Sequence, residues 1–146
     1  MAGAGAEALL AGSGVRERLS ELRQPRLSPP FRVWLVVGGA YYVICFVLLF
    51  RLFRADWREG VGAAALVCLV VLMSLNALWN LYFFRRRDLR GSFVVSVVYG
   101  VIALALTVVL ARLGDGSVWV FAPYQIYLVY GAYYGYATWR LNRPDA

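Results

Sequence analysis

At 146 residues, 62% of them hydrophobic, and with a mean hydropathy of +0.64, this chain has too few polar side chains to cover a soluble domain of its size. It reads as an all-α integral membrane protein. The net charge of +7 comes from arginine alone, because all fifteen basic residues are Arg. No basic stripe with interleaved aromatics lies away from the membrane edges, so a nucleic-acid partner is disfavoured.

The chain opens on MAGAGAEALLAGSG, a flexible tail without the positive n-region of a cleavable signal peptide and with Glu7 inside its apolar stretch. In VRERLSELRQ, Val15, Leu19 and Leu22 fall at i, i+4 and i+7, the spacing of a short helix lying in the membrane interface. The segment LRQPRLSPP, with Pro25, Pro29 and Pro30, is extended or turned. Residues 1–30 thus form a tail and proline loop ahead of a helix bundle over residues 31–142. Four uncharged runs follow: Val33 to Phe50, Gly60 to Phe84, Gly91 to Ala111 and Gly116 to Trp139. Each is close to the roughly 20 residues needed to cross a hydrocarbon core about 30 Å thick. Arg51 and Arg54 snorkel at the end of the shortest run, giving spans of about 33–53, 60–84, 91–111 and 116–139 in a four-helix transmembrane bundle.

Arginine placement sets the orientation. Eleven fall on one side: Arg16, Arg18, Arg23, Arg26 and Arg32 in the tail, Arg85, Arg86, Arg87 and Arg90 after the second run, and Arg140 and Arg143 at the end. Four, Arg51, Arg54, Arg58 and Arg112, fall on the other. The positive-inside rule puts both termini and the RRRDLR loop in the cytoplasm, in a bacterial cytoplasmic membrane.

Missing residue types limit the chemistry. There is no His, and all eight acids lie in tails or loops, so no carboxylate sits at mid-membrane to carry protons. That disfavours a small drug-proton antiporter. Cys45 and Cys68 are lone residues in separate helices without ligand spacing; they read as apolar packing, and no metal site is expected.

The positive signals are amides and rings. In NALWNLYFF, Asn76, Trp79, Asn80 and Phe83 fall at i, i+3, i+4 and i+7 of a helix, so two amides and two rings share a face that must look into a protein interior. The last run carries Trp119, Phe121, Tyr124, Tyr127, Tyr130, Tyr133, Tyr134, Tyr136 and Trp139, more than an interfacial belt requires. Rings with a few hydroxyls and amides suit a flat apolar ligand, although interhelical packing would use the same residues. Gly131 with Gly135, and Gly60 with Ala64, are small-residue pairs that favour internal packing over dimerisation; Val129, Tyr134 and Arg140 match a permissive cholesterol pattern.

These motifs resemble the tryptophan-rich sensory protein and mitochondrial benzodiazepine receptor (TspO/MBR) family, the translocator proteins. The family's Asn, Trp and Phe-Phe pattern is matched by Asn76, Trp79, Phe83 and Phe84. Its last helix, opening on Pro-Tyr and ending in Trp-x-Leu-Asn, is matched by Pro123, Tyr124, Tyr127, Trp139, Leu141 and Asn142. Its proline loop is matched by Leu22, Pro25, Pro29 and Pro30, so the resemblance runs over about residues 22–142. The resemblance implies a membrane binding protein, sensor- or transporter-like and not an enzyme, for tetrapyrroles such as porphyrin or haem, or for sterols. It also implies a homodimer, with no cofactor required. The implied pocket lies inside the bundle and is lined by Trp34, Asn76, Trp79, Asn80, Phe83, Tyr124, Tyr127, Tyr130 and Gly131, with Pro25, Pro29 and Pro30 as its cap.

Departures from the family pattern favour an alternative. The family's first helix is missing, the loop Lys is Gln24 and its aromatic Leu27, and three pocket positions become Leu72, Tyr127 and Gly135. An interaction or regulatory membrane protein with a degenerate pocket is the second reading. An enzyme acting on bound porphyrin is the third and least favoured, lacking His, a buried acid or a metal site.

Overall fold

A computed structural model describes residues 17–54 and 60–142. The tail before residue 17, including Val15, the loop 55–59, the segment 143–146 and the question of a first family helix lie outside the described residues. Four long helices follow a helical turn over residues 17–21 and the proline loop. They are α1 (Phe31–Arg54), α2 (Gly60–Asn80), α3 (Leu89–Leu113) and α4 (Ser117–Leu141), with a π-helical turn at Leu81–Arg85 continuing α2. Among the described residues there is no strand.

α1, α2 with its π turn, and α3 are long and apolar enough to cross a membrane. α4 has the same 25 residues as α3 but carries the tyrosines, which lower its apolarity. It packs along α3 and belongs to the same bundle. α3 is the centre of the fold, with α2 on one flank and α4 on the other, while α1 closes the ring more lightly against α4 and α2.

The core follows from residue spacing. Tyr41, Cys45, Leu48 and Leu52 make the buried stripe of α1, Ala65, Leu69 and Leu72 that of α2, and Tyr99, Ala103, Leu106 and Leu110 that of α3. Steps of three and four put each set on one face, the geometry of shallow-angle helix packing. Phe121 and Tyr124 of α4 complete the cluster, and Cys45 sits buried within it. Valines and phenylalanines such as Val36, Phe46 and Val101, together with Ile126, point outward and are exposed, as lipid contact requires.

The helix ends are set locally. Asp88 caps α3 by accepting from the Gly91 amide at 2.9 Å. A Cβ at Gly91 would fall 2.5 Å from Asp88 Oδ2 and 2.6 Å from the Tyr82 ring, so only glycine fits between cap and ring. On the opposite side of the bundle, Gly114 and Gly116 adopt left-handed backbone around Asp115. Asp115 accepts from the amide and hydroxyl of Ser117 at 2.8 Å each and pairs with Arg51 at 3.8 Å, while Arg51 also donates to the Asp115 carbonyl. Partial burial disfavours the charged carboxylate, but the Ser117 hydrogen bonds and the Arg51 guanidinium outweigh it and hold Asp115 below the usual aspartate range. This loop ties the end of α1 to the α3–α4 turn.

Candidate functional site

The proline loop is docked onto the end of α4 by hydrogen bonds. The Arg23 amide donates to Asn142 Oδ1 at 2.9 Å, and Asn142 Nδ2 donates back to the Arg23 carbonyl at 3.1 Å. Tyr134 donates to Gln24 Oε1 at 2.9 Å, and Tyr130 donates to the Leu27 carbonyl at 2.7 Å. Gln24 is a hub: its Oε1 also accepts from Ser28 at 2.8 Å, and its Nε2 donates to the Leu19 carbonyl at 2.6 Å. Pro25 and Leu22 are buried beneath the loop, Pro29 is half-buried and Pro30 is exposed at the entry to α1.

Under this loop is a cleft of about 210 Å³. Leu19, Pro29, Phe31 and Trp34 form its apolar wall, and Ser20, Gln24 and Ser28 its polar edge. The polar groups of that edge are engaged: Ser20 donates to the Glu17 carbonyl at 2.7 Å, and Ser28 and Gln24 bond as above. Trp34 Nε1 is different, a buried N–H without an acceptor among the described residues. A buried unpaired donor is costly, so the position calls for a partner supplied from elsewhere.

From Trp34 a continuous series of rings runs along α4 into the bundle. The Trp34 ring meets Tyr134 edge-on at 4.9 Å; Tyr134 lies 6.3 Å from Tyr130, Tyr130 6.0 Å from Tyr127, and Tyr127 6.0 Å from Tyr124. The spacing of 134, 130, 127 and 124 keeps these rings on one face of α4. At the inner end Tyr124 and Tyr99 share a hydroxyl hydrogen bond of 2.8 Å, and the Tyr41 ring lies 5.1 Å from Tyr124. Tyr124 is therefore a packed core residue that terminates the series. At Gly131 a Cβ would meet nothing within 4 Å, whereas at Gly135 it would sit 3.9 Å from Phe93 and Ser96. Neither glycine brings two helices into close approach.

The α2 residues form a separate group. Trp79 stacks on Phe83 at 4.9 Å with an interplanar angle of 13°, and Phe84 meets both rings edge-on at 5.9 and 4.8 Å. Among the described residues, these are the ring contacts of Trp79, so the structure brings Trp34, Tyr130, Tyr127 and Tyr124 together and places Trp79 and Phe83 in a second cluster. The shared helical face expected for Asn76, Trp79, Asn80 and Phe83 is interrupted just past Asn80 by the π turn. Asn80 Nδ2 donates to the Asn76 carbonyl at 2.9 Å, within its own helix. Phe83 is 3% exposed, whereas Asn76, Trp79 and Asn80 are half-buried.

Gln24, Tyr134 and Asn142 are the residues that sequence reasoning passes over as parts of the site. Asn142 has a signal, the terminal Asn of the Trp-x-Leu-Asn motif. Gln24 reads as a lost lysine, although its amide does what a lysine could not, accepting two hydrogen bonds while donating a third.

The pattern of the TspO/MBR family matches residues 1–140. Protein CrtK of Rhodobacter capsulatus is 24% identical over 121 residues, covering 83% of this chain and 76% of that protein. Apolar membrane-length helices, the docked proline loop and the match over nearly the whole chain converge: the chain is an integral membrane protein that belongs to the TspO/MBR family.

Proposed function

We propose that the protein binds a flat, largely apolar small molecule of the tetrapyrrole class, or a related ligand such as a sterol, as a sensor or transporter-like protein without enzymatic turnover. The observation that carries this reading is the ring series reaching from the cleft to the bundle centre, with the Trp34 N–H, which has no acceptor among the described residues, at its outer end. Rings supply apolar contact area, and a single donor fixes orientation by meeting an acceptor such as a carboxylate or carbonyl. The cleft of about 210 Å³ is smaller than the roughly 300–1,000 Å³ of common ligand sites, so it suits one edge or arm of such a molecule. That small volume also favours the second reading, an interaction or regulatory protein whose pocket has closed.

Porphyrin titration separates the two. Trp34 and Trp79 would lie within energy-transfer range of a macrocycle at the loop, so tryptophan fluorescence of the detergent-solubilised protein is expected to quench saturably at micromolar porphyrin. Quenching that rises linearly without saturation would favour the interaction protein.

Both termini are proposed to face the cytoplasm of a bacterial cell. Support comes from the arginine asymmetry and from the Arg23–Asn142 contact, which joins the N-terminal loop and the end of α4 on one side of the bundle. Reporter fusions at Ala146 and within residues 55–59 should give opposite signals. Equal signals would rule out this topology.

A further inference from the structure

Two departures from regular helix geometry fall within seven residues at the end of α2: the π turn Leu81–Arg85, and Arg87 in left-handed backbone at φ 55°. Neither is favourable on its own, and such features persist where surrounding contacts hold them. Here the backbone closes the turn itself, with the Arg86 amide donating to the Leu81 carbonyl at 2.9 Å and the Asp88 amide to the Tyr82 carbonyl at 3.0 Å, and a side chain from sixty-five residues earlier in the chain adds to the hold. Arg18 Nε donates to the Phe83 carbonyl at 3.4 Å, and Arg18 Nη2 donates to the Arg87 carbonyl at 3.4 Å. The Phe83 carbonyl belongs to the last turn of the helix, where backbone acceptors run out of intrahelical donors, and the Arg87 carbonyl lies in the link to α3. Glu21 Oε2 then pairs with both Arg18 and Arg87 at 3.3 Å each, closing the network. The Arg18 side chain is only 11% exposed, so it is packed in place, unlike a solvated surface arginine.

The residues that follow Arg18 belong to the other part of the site. Leu19 and Ser20 line the cleft beside Trp34, and the Leu19 carbonyl accepts from Gln24, the hub of the proline loop. One short segment therefore touches the cleft on one side and holds the backbone beneath the Trp79–Phe83 stack on the other. We propose that Arg18 is a positioning residue that couples the two aromatic groups: by holding the π turn it fixes Phe83 and Phe84 against Trp79, and an occupant of the cleft that moves Leu19 and Ser20 changes that hold. An α-helical register beyond Asn80 would keep the i, i+4 relation of Trp79 and Phe83 but turn Phe83 and Phe84 about the helix axis, changing the angle between the rings. The coupling rests on the proposed binding of a ligand at the cleft.

The test is amide hydrogen exchange and protoporphyrin titration on the full chain in detergent, comparing wild type with Arg18→Gln and Arg18→Lys. In Arg18→Gln the amides of residues 82–88 should exchange at least about tenfold faster while those of the α3 core, residues 95–110, keep their wild-type rates. Porphyrin affinity should fall severalfold with little change in the thermal midpoint. Arg18→Lys keeps the charge but cannot reach both carbonyls and Glu21 together, so its values should fall between. If Arg18→Gln does not fold, Arg18→Lys alone must show the local acceleration. Unchanged exchange at 82–88, acceleration spread evenly over all helices, or local acceleration with wild-type affinity would each overturn the proposal. Absence of saturable porphyrin binding to the wild type would overturn the ligand reading instead, and the exchange rates would still decide whether Arg18 holds the turn.

Discussion

Phe83→Ala is expected to destabilise the ligand-free protein by about 3–5 kcal/mol, whereas Trp79→Ala should cost less than about 2 kcal/mol and act mainly on ligand binding. The two rings are partners in one stack, but their surroundings differ. Phe83 is 3% exposed and packs against Trp79 on one side and Phe84 on another, so truncation opens a cavity that closely packed helices cannot refill. Trp79 also touches two rings, Phe83 and Phe84, but is only half-buried, so its removal sacrifices less dispersion energy than that of the buried Phe83. Unfolding midpoints of both variants without ligand, together with porphyrin affinity, decide the matter. Equal loss of stability for Trp79→Ala and Phe83→Ala, with affinity unchanged, would make the motif packing alone.

The contrast shows which parts of the molecule are legible in its sequence. Uncharged runs bounded by Arg and Gly locate the long helices to within a few residues, because length and apolarity are local properties that a bilayer reads directly. The Trp79–Phe83 pairing is legible too, as an i, i+4 step. The π turn is not, since beside its own backbone bonds, such as Arg86 N–H to the Leu81 carbonyl at 2.9 Å, it takes contacts from Arg18, far away in the chain. In the same way the separation of Trp79 from the α4 tyrosines depends on which helices become neighbours, with α3 lying between α2 and α4. Periodicity assigns each ring to a face but not the faces to one another. Tyr124 illustrates the limit: its place in the Pro-Tyr motif marks it for the pocket, and only the partner hydroxyl of Tyr99 at 2.8 Å reveals it as core.

Trp34→Phe should lower porphyrin affinity by about tenfold or more while leaving the ligand-free protein as stable as wild type, or slightly more so. The phenyl ring keeps much of the edge contact with Tyr134 at 4.9 Å and most of the apolar cleft wall, so packing changes little. What disappears is Nε1–H, which is buried and has no acceptor among the described residues. Removing an unsatisfied donor relieves a desolvation penalty of about 1–3 kcal/mol, which offsets the weaker packing of the smaller ring. In the complex the sign reverses, because the same N–H then meets an acceptor on the ligand. A porphyrin whose propionates are esterified still offers carbonyl acceptors but no charge. It should therefore lose affinity on Trp34→Phe as well, and the loss should be smaller than for the free acid. The combination of intact stability and weakened binding is specific to a donor that waits for a ligand. Loss of stability with unchanged affinity would instead assign Trp34 to anchoring the proline loop against Tyr134, and the binding role of the cleft would fall with it.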